Sequence, residues 1–289
     1  VFFLLAATSV LAFDPVLRWS SVLVRPESLI GATGLFILFG ERFGWPNALR
    51  ERKYFHPVSL ALLVGALLHF NAIHLVPLVL ALYARDFRKI LKIGGLTALG
   101  LVPWMLTIAA KPALFVQQME LQFSRLTGFQ NPWLNSWPEF SKALLEDMGS
   151  PEPWAAEFQF AILACIVAFP FLLMASGYLV AKSDRDEKSK SSIIGAFIWL
   201  ISALYLWHTK AEVWFTHYFH LAFWAWALLV LFEFQTRTPF KKIAPLFPAA
   251  IGLIFLYGQI GQTARLEASE TWHWRVYDAW IDCIDGFLV

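Results

Sequence analysis

Charged residues are absent from long stretches of this chain and crowded into the segments between them. Tyr54 to Ala84 runs for 31 residues without a Lys, Arg, Asp or Glu. As one helix it would be about 46 Å long, against a hydrocarbon core of about 30 Å. Its centre is polar, at His69, Asn71 and His74, and basic segments flank it on both sides. This pattern predicts two short helices that meet near His69–His74 and return to the side they left; one tilted span is the alternative.

The other apolar runs are simpler to read. Val1 to Phe13 predicts one span, and a helix from Pro26 to about Trp45 predicts the next. Ile93–Ala110, Phe158–Ala181, Ser191–Thr209, Val213–Phe232 and Ile243–Ala264 each approach or reach the length of a crossing. The expected fold is all-α: a polytopic helical membrane protein with about nine crossings, the pair of short helices included. Residues 1–264 form the membrane domain, and 265–289 read as the start of an outer-face soluble segment.

Composition agrees with this class. Of 289 residues, 58% are apolar and 15% charged, with a mean hydropathy of +0.57. Soluble domains hold about 45–50% apolar and about 25% charged residues. The net charge of +2 says little until the charges are placed. Fifteen of the 23 Lys and Arg fall in four segments, in sets of four, four, four and three. These are Arg42–Lys53, Arg85–Lys92, Lys182–Lys190 and Arg237–Lys242. Sixteen of the 21 acidic residues fall outside these segments. By the positive-inside rule the four basic segments are cytoplasmic, while Asp14–Glu27 and Lys111–Glu157 face outward. The two cysteines, Cys165 and Cys283, have no metal-binding spacing. The chain starts inside an apolar run without Met and ends on what reads as the opening of another element. A fragment cut at both ends is therefore expected, in a multi-pass membrane protein.

The stretch Phe13 to Leu29 concentrates charge between two apolar runs: Asp14, Arg18, Arg25 and Glu27. A charge at the bilayer centre costs about 2.5–3.5 kcal/mol on the lenient scale, so these residues belong at the lipid boundary or in a wet cavity. Pro26 and Glu27 suit the first turn of the following helix. Two readings stand: an interfacial loop with snorkelling arginines, and one wall of a site for an anionic headgroup.

Several features resemble a known family. They are the polar outer loop with Asp14, the Arg25-Pro26-Glu27 entry to a span, and Leu62-Leu63-Val64-Gly65-Ala66-Leu67-Leu68-His69 with a second short apolar helix after it. A span carrying Val102-Pro103-Trp104 then leads to an outer segment, Phe115–Arg125. The arrangement is similar to the C-type glycosyltransferases, which use polyprenyl-phosphate sugars and include the protein O-mannosyltransferases and the aminoarabinose transferase of lipid A. The resemblance implies transfer of a sugar from a polyprenyl-phosphate donor to a lipid, glycan or protein acceptor on the outer face of a bacterial inner (plasma) membrane. It also implies a catalytic carboxylate in the first outer loop, which would precede Val1, so the catalytic residue stays unknown and Asp14 is not assigned as the base.

Arg125 occupies the place of the family's phosphate-binding arginine, although Leu121 follows Glu120 where the family carries His. An arginine fork suits phosphate; an interfacial helix meeting lipid headgroups is the other reading. Lys210 is a second phosphate candidate. His217 and Tyr218 resemble the start of the family's late outer-facing span, and His217 shares a helix face with His220; an interfacial aromatic belt is the commoner meaning. His69 and His74 lie five apart, which suits a hydrogen-bonded turn better than a one-face metal pair. The substrate-binding candidates are thus Asp14, Arg25, Glu27, His69, Arg125, Lys210, His217 and Tyr218. No metal site is expected from spacing, and a divalent ion is the one cofactor the resemblance leaves open. Membrane lipids are expected partners and nucleic acid is not. A transporter or flippase of lipid-linked sugars, or a polymerase of lipid-linked glycans, would present the same headgroup chemistry.

Overall fold

The computed structural model of this chain describes residues 2–14, 26–46, 49, 52, 54–68, 70–124, 155–182, 187–210, 216–237 and 244–267. Every regular element among them is a helix. In chain order they are α1 (Phe2–Phe13), α2 (Pro26–Phe43), α3 (Pro57–Leu68), a 3₁₀ turn (Phe70–Leu75), α4 (Val76–Leu82), α5 (Phe87–Ala110), α6 (Pro112–Ser124), α7 (Ala155–Lys182), α8 (Glu187–Lys210), α9 (Thr216–Arg237) and α10 (Leu246–Glu267). Three of these are long and apolar enough to cross a membrane: α5, α7 from Ala164 onward, and the Tyr218–Thr236 part of α9. The region after Glu267 lies outside the described residues.

The three long helices differ in what covers them. Most of α9 is buried, and it packs against α1, α2, α7 and α8. Its Phe223, Trp224 and Trp226 are almost fully enclosed, as is Trp199 of α8. Phe169, Phe197 and Trp226 meet ring to ring, with centroids 5.4–6.5 Å apart. By contrast α5 is almost wholly uncovered and turns Leu91, Leu99, Met105 and Leu106 outward. A long apolar helix left uncovered is the surface that lipid, not water, would cover.

The expected pair of short helices is present. The chain between α3 and α4 tightens into the 3₁₀ turn, and the ends of the segment come back together: the rings of His56 and Tyr83 meet edge to face at 6.0 Å. The segment therefore doubles back on itself. His74, in the turn, is hydrogen-bonded to Ser202 Oγ of α8 at 2.9 Å. This agrees with the hydrogen-bonded reading of that turn; His69 lies outside the described residues.

Helix α2 approaches its neighbours through glycine. A Cβ on Gly34 would run into the Trp199 ring, and one on Gly31 into Leu221. Small residues at such crossings let backbones come close, which favours packing within lipid. Gly34→Val is therefore expected to lower stability by about 1–3 kcal/mol through overpacking, read as an earlier unfolding midpoint in detergent. An unchanged midpoint would show that α2 and Trp199 separate without penalty.

Candidate functional site

Polar side chains gather at both ends of the bundle. One group forms where α1 ends. The Asp14 N–H still bonds Val10 O at 2.9 Å, so Asp14 closes the last turn of α1. Its carboxylate points into the bundle. Oδ2 accepts the Trp224 indole N–H at 2.7 Å and lies 3.1 Å from His220 Nδ1. His220 and Trp224 are four apart on α9, which places them side by side on one face. All three residues are buried, Asp14 and His220 completely. A carboxylate out of water is tolerated when donors satisfy it, and here an indole and an imidazole do so.

The pairing has a chemical consequence. An ionised carboxylate only accepts hydrogen bonds, so beside an ionised Asp14 a neutral imidazole carries its proton on Nδ1 and its lone pair on Nε2. Nε2 is buried and has no hydrogen-bond partner among the described residues. A carboxylate that orients a histidine and leaves the far nitrogen bare is the arrangement of a general base. The Cys165 thiol of α7 is buried as well. Close by, Tyr218 is buried and its hydroxyl accepts the Trp199 indole N–H at 2.7 Å, fastening α8 to α9.

The other end gathers the ends of α2, α3, α5, α8 and α9. Arg42, in the last turn of α2, forms an ion pair with the fully buried Glu233 of α9. Arg85 pairs with Glu187 on the surface. A cleft of about 270 Å³ opens there between Gly40, Glu41, Trp45, His56, Lys89 and Lys188.

Asp14 is thus held by His220 and Trp224. Tyr218 is engaged with Trp199 inside the bundle and does not line the cleft. Glu27, Lys210 and His217 fall within α2, α8 and α9, but their side chains lie outside the described residues, as do Arg25 and Arg125 entirely. Among the described residues, His, Cys, Asp and Glu do not gather in threes that could hold a metal ion. His220, Trp224 and Glu233 were not among the expected site residues. A usable signal existed for two of them: His220 shares a helix face with His217, and Glu233 is a lone carboxylate after a long apolar run. Comparison with protein-family models, curated proteins and solved structures gives no match.

Proposed function

We propose that this chain is the membrane part of an enzyme that transfers a sugar from a polyprenyl-phosphate donor to an acceptor at the outer face of a bacterial inner membrane. The observation that carries the reading is the buried Asp14–His220 pair, whose Nε2 meets no hydrogen-bond partner among the described residues. Intramembrane ionisable residues mark functional pathways by default, and this pair lies at the bundle end opposite the basic segments. In this reading His220 Nε2 takes the proton of the acceptor hydroxyl while Asp14 holds the ring and balances the imidazolium that forms. Arg125, Arg25 and Lys210 stabilise the departing phosphate, which needs concentrated positive charge in a dry setting. Catalysis is tested by supplying the intact protein in proteoliposomes with a polyprenyl-phosphate sugar and following product with and without His220.

The reading includes an orientation with about nine crossings. Its support is that Arg42, Arg85, Lys89 and Lys188 lie at one end of the bundle and Asp14 at the other. Cysteines placed at the exposed Arg88 and Lys111 should react from opposite sides of intact cells, Lys111→Cys from outside and Arg88→Cys only after permeabilisation. Equal labelling from outside at both would overturn the orientation.

A second reading has one specific observation in its favour. Asp14 and His220 are completely enclosed, as in the proton relays of transporters. A flippase of lipid-linked sugars would move the headgroup with no new glycosidic bond. Translocation of a labelled donor without glycosylated product would select it.

A further inference from the structure

The cleft at the basic end is built for a different ligand. Its walls come from four separate elements: the end of α2 with Glu41 and Trp45, the entry to α3 with His56 and Pro57, Lys89 of α5 and Lys188 of α8. Two lysines from different helices therefore face one space. Lys89 Nζ sits 4.5 Å from the centre of the Tyr83 ring, which holds the ammonium at the rim. Among the described residues Glu41 is the carboxylate on the wall, and it accepts the Trp45 indole N–H at 2.6 Å. Glu187, next to Lys188, is engaged by Arg85. Among the described residues the lining thus carries two lysines against one carboxylate, with His56 buried in its floor. Its volume of about 270 Å³ falls below that of sites for drug-sized ligands.

The surroundings identify the source of the ligand. Phe43, Tyr54 and Phe87 are strongly exposed around this end. Aromatic rings displayed beside lysines mark the membrane–water boundary. Cytoplasmic leaflets are anionic, and basic pockets between helices on that side take phosphate headgroups.

We infer that this cleft binds the phosphate of an anionic phospholipid of the inner leaflet, between Lys89 and Lys188. The inference rests on the orientation proposed above and not on sugar transfer. The two fail separately, since cysteine labelling reads orientation and lipid binding reads the cleft.

The test uses the protein purified in neutral detergent, with phosphatidylglycerol, phosphatidylcholine and inorganic phosphate titrated separately. Phosphatidylglycerol should bind more tightly than phosphatidylcholine. Lys89→Gln or Lys188→Gln should each weaken phosphatidylglycerol binding about fivefold, and both together about 25-fold. Lys188→Arg should retain it, and Arg88→Gln, on the exposed start of α5, should leave it unchanged. Lys188 is itself exposed, so its substitution leaves folding intact, and the unfolding midpoint checks this. Three results would each overturn the inference. They are unchanged binding in the double variant, equal loss in Arg88→Gln, and inorganic phosphate binding as tightly as the lipid with the same lysine dependence, which would mark a free-anion site.

Discussion

His220→Ala is expected to lower sugar transfer by about 10²–10⁴-fold, the usual contribution of a positioned general base. Asp14→Asn should fall in the same range for a different reason. An amide presents an N–H to Nδ1 as readily as a carbonyl, so the ring loses the constraint that keeps Nε2 bare. It also loses the charge that balances the imidazolium. The two variants together should be little worse than either alone, because both remove one working unit. Trp224→Phe separates structure from chemistry. It removes one donor to Asp14 and leaves the Asp14–His220 contact in place. Its cost should appear in the unfolding midpoint, as a hydrogen bond to a charged group contributes about 1.5–3 kcal/mol, with transfer largely retained. Full transfer by a folded His220→Ala protein would reduce the cluster to a fastening between α1 and α9.

At the other end, Arg42→Ala is expected to destabilise the protein by about 3–5 kcal/mol. Glu233 is completely buried, while Arg42 is mostly so, at 17% exposure. Removing the guanidinium leaves a buried carboxylate without that counter-charge. Arg42→Met combined with Glu233→Leu should recover most of the loss, because a buried ion pair replaced by well-packed apolar groups is often neutral. The measurement is chemical unfolding of both variants in the same detergent. A single variant as stable as the parent would mean that Glu233 is satisfied by other groups. A double variant as poor as the single one would mean that the pair sets the geometry of α2 against α9.

The helices themselves were legible along the chain. Apolar runs long enough to span a membrane gave the positions of α5, α7 and α9. The break in Tyr54–Ala84 followed from its length and its polar centre, and the 3₁₀ turn lies there. Both are local properties, since every backbone group must be satisfied within its own segment in an apolar medium. The charge bias likewise sorted the polar segments into two sets, and the ion pairs and the cleft gather residues of one set at one end.

The partners were not legible. Asp14 meets residues 206 and 210 positions away, and Arg42 meets one 191 positions away. No periodicity along the chain specifies which face of α1 turns toward α9, or that α2 lies close enough for Arg42 to reach Glu233. Those contacts depend on glycines that let helices approach and on aromatic rings that fill the space between them. Tyr218 illustrates the difference. Its position near a helix start suggested an interfacial ring, whereas packing turned it inward onto Trp199. The hydrophobic pattern determined that helices form and roughly where each one turns, because burial of apolar surface and backbone hydrogen bonding act within a segment. Which buried acid meets which base was decided only by tertiary packing, because a side chain with helical spacing can serve any neighbour that its face happens to meet.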